Sequence, residues 1–174
     1  MKKTLQAAVI LLILGSIFFY YFSTNVPRND FVKEGDVVPD FTLKTKGGET
    51  VTLSRYRGKV IILNFWGTWC TPCVSEIPSL NKLSSSLNDK NFEIIAVSLD
   101  SSWSDVDELF SQIGEPKFTV VLDKSGTVAS TFGTELIPES FIIDQRGVVI
   151  KKLIGAIDWN SSDTHHMIKL LLTN

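Results

Sequence analysis

The chain has two cysteines, Cys70 and Cys73, set two residues apart in Trp69-Cys70-Thr71-Pro72-Cys73. Ahead of them runs the apolar stretch Val60-Ile-Ile-Leu-Asn-Phe-Trp66, and behind them Val74 to Leu87 carries apolar residues at helical spacing. A strand feeding a helix whose first turn holds both thiols is an arrangement suited to redox chemistry. The unpaired backbone N–H groups and positive end of such a helix favour a thiolate at the first cysteine. Pro72 fits there, because first-turn N–H groups have no intrahelical partner to lose. One turn separates the thiols, close enough for a short disulfide. Zinc would need about four ligands where this pair gives two, and the only histidines, His165 and His166, are adjacent and remote in sequence. A purely structural bridge is disfavoured too, since closing a four-residue loop restricts the unfolded chain little. Soft thiolates also suit Cu(I), so a copper chaperone is the rival from another class, although no third ligand is evident.

The elements that would position this pair follow in order. Asp36 to Leu43 opens the folded region, and Gly47-Gly48 joins Phe41–Leu43 to Thr50–Leu53 as a hairpin. Arg55 to Lys59 reads as a solvated basic turn. Val60 to Phe65, nearly all apolar, is expected to be a strand covered on both faces. In the following helix Val74, Ile77, Leu80, Leu83 and Leu87 face the sheet, and Pro78 should kink it. Phe92 to Leu99 is a second buried strand, joined by a right-handed parallel crossover. Ser104 to Ile113 reads as a helix with Ser102 or Ser104 as its cap and Gly114 as its stop. Strand Phe118–Leu122, a turn at Asp123–Gly126 and a short helix Thr127–Phe132 come next. Ile137-Pro138 then precedes a second hairpin, Glu139–Asp144 with Val148–Ile154, and a terminal helix reaches Leu172. These elements make an α/β sandwich with a mixed sheet. Its functional crevice lies beyond the carboxyl ends of the strands, where Cys70 falls.

With 174 residues, the chain suits one domain plus an appendage. A net charge of −2 without a basic cluster excludes nucleic acid as the expected partner. No nucleotide or flavin motif is present, so no cofactor is expected and electrons should come from another membrane thiol protein. The appendage is 1–22: Lys2 and Lys3 precede an uncharged run from Leu5 to Phe22. At about 1.5 Å per residue this run nearly crosses a ~30 Å hydrocarbon core. It ends in Phe18, Phe19, Tyr20, Tyr21 and Phe22 rather than a small-x-small site, which favours an uncleaved anchor over a cleaved secretory signal. The lysines keep the N-terminus cytoplasmic, so under either reading the domain lies on the far side of the membrane. Residues 23–35 form a polar tether and 36–174 the domain, expected to be a monomer.

Four stretches together resemble a known family: Val38-Pro-Asp-Phe-Thr-Leu43, Asn64-Phe-Trp-Gly-Thr-Trp-Cys-Thr-Pro-Cys73, Glu76-Ile-Pro78 and Ile137-Pro-Glu-Ser-Phe-Ile-Ile-Asp144. From Asp36 onward the chain is similar to the thioredoxin superfamily, and within it to the membrane-tethered TlpA/ResA/CcmG-type thiol-disulfide oxidoreductases. The resemblance implies a thioredoxin-like fold and a cis peptide before Pro138, beside the cysteines. It implies Cys70 as attacking and Cys73 as resolving thiol, acting on disulfide-containing proteins. It also implies a role in cytochrome c maturation or a related thiol pathway, with net oxidation chemically open. Trp69, Thr71, Pro72, Ile137 and Pro138 would meet the substrate, and Trp66 would shield the site or serve the core. Soluble thioredoxins have an aspartate where this chain has Asn64, which cannot act as a base. The subfamily instead has a glutamate matching Glu76, one helical turn from Cys73, to take the proton of the deeper thiol; the plainer alternative is an ordinary acid favoured by the helix's first turns. A peroxiredoxin shares the fold and the Pro-Asp-Phe-Thr-Leu opening, but its peroxidatic P-x-x-x-T/S-x-x-C pattern is absent.

Overall fold

The computed structural model describes residues 12–21, 31–87 and 91–173. The chain divides into two compact units, Met1–Asp30 and Phe31–Asn174. In the first, residues 12–21 form a helix, α1, with exposed apolar side chains such as Leu12 and Phe18. Among the described residues no helix is long and apolar enough to cross a membrane. The remainder of the Leu5–Phe22 run lies outside them.

The second unit is built on a five-stranded sheet in the order β5-β4-β3-β6-β7. Its strands are β3 (Val60–Trp66), β4 (Phe92–Ser98), β5 (Thr119–Leu122), β6 (Glu139–Ile143) and β7 (Val149–Ile154). β3, β4 and β5 are mutually parallel, β6 is antiparallel to β3, and β7 is antiparallel to β6, giving the expected mixed sheet. A separate antiparallel hairpin, β1 (Thr42–Lys44) with β2 (Thr50–Thr52), precedes it. The helices are α2 (Thr71–Leu87), α3 (Trp103–Ile113), α4 (Thr127–Phe132) and α5 (Ser162–Leu172).

Every residue of β3 is buried, because each of its faces is covered. Ile61, Leu63 and Phe65 point into a core shared with Phe41, Val51 and Leu53 of the hairpin region and with Val128, Ala129 and Phe132 of α4. Val60 and Ile62 point the other way, onto Leu80 and Leu83 of α2 and Ile168 of α5. The strand's two-residue period therefore puts Asn64 on the α2 face, the only polar side chain in that row. α2 continues through Pro78, which is exposed on its outer side.

Several boundaries differ from the sequence expectation for identifiable reasons. Of the segment read as a tether, residues 31–35 belong to the compact unit, because Val32 is buried in the core and Gly35 N–H donates to Val149 O at 2.8 Å; the rest lies outside the described residues. The basic turn is partly a 3-10 helix, Leu53–Tyr56, pinned by the buried Leu53. Lys59 approaches the Glu93 carboxylate at 3.5 Å. Ser102 occupies the cap position of α3, but its hydroxyl donates to Asp105 at 2.9 Å instead of capping the helix. Ser161 does cap α5, accepting from Thr164 N–H.

Candidate active site

Cys70 and Cys73 are joined as a disulfide, with an S–S distance of 2.12 Å. Cys70 lies immediately before the first helical residue rather than within the first turn, and its carbonyl accepts the first intrahelical bond, from Val74 N–H at 3.1 Å. Its sulfur accepts Cys73 N–H at 3.3 Å. This is the geometry of a helix N-cap, in which a side chain satisfies a donor the helix leaves open. A thiolate at the same place would meet the same N–H and the positive helix end. Thr71 and Pro72, both exposed, form the outer rim of this turn.

Both thiol positions are buried, Cys70 at 7% exposure and Cys73 at 0%. The two sulfurs belong to a cluster with Trp66, Ile77, Val106 and Phe110. Trp66 is a core residue here, 2% exposed and tilted against Phe110, and its indole N–H has no hydrogen-bond partner among the described residues. Trp69 stands outward at 66% exposure. It forms one wall of a cleft of about 560 Å³ lined also by Thr68, Asp100, Asp105 and Glu108.

The Ile137–Pro138 peptide is cis, and the Ile137 carbonyl oxygen lies 3.6 Å from Cys70 Sγ. Residues remote in sequence thus meet at the disulfide, as the resemblance implied.

Glu76 is 3% exposed on the inner face of α2, the face that also carries Cys73. Its Oε1 accepts from Asn64 Nδ2 at 2.7 Å. Its Oε2 accepts from Ile157 N–H at 3.1 Å and Trp159 Nε1 at 3.2 Å. Burial pushes the Glu76 carboxyl above its ordinary value, and these three bonds oppose but do not cancel that rise. Asn64 therefore serves as a donor that orients Glu76 and, through a second bond of 2.9 Å, Ser140.

Sequence reasoning did not find three contributors. Trp159 and Ile157 reach Glu76 from more than 80 positions away, with no local signal. Asp100 could have been noticed as an acid at the carboxyl end of a parallel strand. It is 3% exposed and anchors the loop ahead of Cys70, accepting from Thr68 Oγ1 at 2.7 Å and Ser98 Oγ at 2.7 Å. Among the described residues no group of three or more His, Cys, Asp or Glu side chains could hold a metal.

A thioredoxin-like sheet with a disulfide capping α2 and a cis-proline loop against it defines a thiol-disulfide exchange protein. The AhpC/TSA family profile matches residues 35–152. A thiol-disulfide oxidoreductase ResA from Bacillus thuringiensis is 36% identical over 158 residues, covering 89% of this chain and 91% of that protein. The thioredoxin-like protein YneN of Bacillus subtilis is 30% identical, covering 90% and 92%. A crystal structure from Chlorobium tepidum, provisionally assigned as the thiol:disulfide interchange protein DsbE, superposes with a TM-score of 0.74. It is 33% identical and covers 81% of this chain and 99% of its own. The chain belongs to the AhpC/TSA family, on its thioredoxin-like branch of ResA-type thiol-disulfide oxidoreductases. It is a protein-disulfide oxidoreductase.

Proposed function

We propose that this chain is a membrane-tethered, extracytoplasmic reductase of disulfides in exported proteins, such as apocytochrome c or its maturation partners. The observation that carries this reading is the placement of the Cys70 sulfur, which caps α2 and lies 3.6 Å from the Ile137 carbonyl. An extended substrate segment pairing with the backbone at Ile137 would bring its own disulfide to that sulfur. The rim residues Trp69, Thr71 and Pro72 flank the approach, and Pro138 shapes the loop.

In the reduced enzyme the Cys70 thiolate attacks one substrate sulfur. The substrate S–S bond breaks, a mixed disulfide forms, and the departing thiolate takes up a proton. Glu76 accepts the Cys73 proton, and the Cys73 thiolate attacks Cys70 Sγ. The second substrate thiolate leaves, and the Cys70–Cys73 disulfide carries the oxidation. Two electrons and two protons have passed to the substrate, and a dithiol protein at the membrane restores the enzyme.

The test is trapping. Cys73→Ser accumulates covalent adducts with disulfide-bearing proteins, read on non-reducing gels, and Cys70→Ser accumulates few. Equal trapping by both variants would overturn the assignment of attacking and resolving thiols.

A further inference from the structure

Gly133 to Pro138 is the loop that brings the Ile137 carbonyl to Cys70, and its outermost residues have little support. Glu135 and Leu136 are exposed, Leu136 at 68%. The loop leaves α4 at Gly133, whose φ of +69° is a left-handed turn. It rejoins the sheet where Pro138 O accepts Gly155 N–H at 2.8 Å.

Across the base of this loop stands Glu139, the first residue of β6 and 2% exposed. Its Oε2 accepts from Thr134 Oγ1 at 2.6 Å, joining the two ends of the loop. Its Oε1 pairs with Lys152 Nζ of β7 at 3.2 Å. That ammonium also lies 5.0 Å from the centre of the Phe141 ring, and its own chain N–H donates to Glu34 Oε1 at 3.1 Å. The exchange chemistry described above uses none of Thr134, Glu139 or Lys152. Yet a buried carboxylate is retained only where it is paired and hydrogen-bonded.

We infer that Thr134, Glu139 and Lys152 form a clasp that holds the Ile137 carbonyl in place, making Thr134 and Glu139 positioning residues for polypeptide disulfides. This rests on the reading that substrate chains pair with the backbone at Ile137. A polypeptide depends on the loop because it must match a fixed carbonyl. A small aromatic disulfide needs only the Cys70 sulfur. Loosening the clasp therefore weakens capture of an extended chain more than it weakens sulfur attack. Thr134→Val removes the hydroxyl while keeping the side chain's shape, and Thr134→Ser restores the hydroxyl.

The experiment measures steady-state reduction of two disulfides by full-length protein: an extended synthetic peptide with an internal disulfide, and 5,5′-dithiobis(2-nitrobenzoate). Thr134→Val is expected to raise KM for the peptide about fivefold, the loss of one hydrogen bond, with kcat little changed. The rate with the small disulfide falls far less, and Thr134→Ser recovers the wild-type KM. Hydrogen exchange at the Leu136 and Ile137 amides quickens in Thr134→Val. Equal losses on both substrates, an unchanged peptide KM, unchanged exchange, or a serine variant as impaired as valine each overturn the clasp. Failure of the wild type to reduce either disulfide would instead overturn the function on which the clasp rests.

Discussion

Glu76 holds a buried carboxyl whose three hydrogen-bond donors, Asn64, Ile157 and Trp159, are all neutral. Burial is the largest influence on it and raises its pKa above 4.5. The folded protein therefore keeps a proton that the unfolded chain has already released. The stability this contributes is complete below pH 4.5 and is lost as pH climbs through the raised value. Urea titrations of the oxidised protein should show wild-type stability declining relative to Glu76→Gln across that interval. A pH-independent difference between the two would contradict a raised carboxyl. A carboxyl raised by burial also fits the proposed role of Glu76 in taking the Cys73 proton. In stopped-flow measurements Glu76→Gln should leave formation of the mixed disulfide intact and slow its decay on the order of a hundredfold. Unchanged decay across the pH range would return Glu76 to a structural role.

At the scale of elements, the site depends on the alternation of β3 and on the helix end it feeds. The odd positions, Ile61, Leu63 and Phe65, fix the sheet against α4 and the hairpin, while the even positions deliver Asn64 to Glu76. Phe132 at the end of α4 contacts three rings, with centroids 5.4 Å from Phe141, 5.5 Å from Phe65 and 6.1 Å from Phe41. It is fully buried. Phe132→Ala should lower unfolding stability by about 3–5 kcal/mol, the transfer and cavity loss of a buried aromatic ring. Measured by chemical denaturation, a loss below about 1 kcal/mol would mean that the surrounding core collapses into the space. This ring was legible as part of a short helix. Its role in bracing the loop's departure point was not, because its partners lie on three separate segments.

For the molecule as a whole, the redox unit beginning at Phe31 is distinct from the N-terminal unit that contains α1. Lys2, Lys3 and the Leu5–Phe22 run support an anchor with the redox unit outside the cytoplasm. Full-length protein should therefore partition to the membrane fraction, with its C-terminal unit digested by protease added to the outer side. A soluble mature chain beginning near Ser23 to Val26 would show a cleaved leader instead. On the proposed reading, both outcomes leave the thiols in a compartment where disulfides form.

The order of strands along the chain, the two hairpins, the helix that receives the cysteine pair and the redox class of the site were all legible in the amino-acid order. These are local quantities: a two-residue or 3.6-residue period, a turn dipeptide, and two thiols separated by one helical turn. Folding set how deeply Cys70 is buried and made Asn64 a hydrogen-bond donor to Glu76. It also brought Trp159 and Ile157 to Glu76, and Thr134 and Lys152 to Glu139. Each of these depends on which segments pack against one another, so no window of neighbouring residues carries the information. Burial and hydrogen bonding of a polar group are set by the surrounding chain, and only the folded molecule assembles that surrounding.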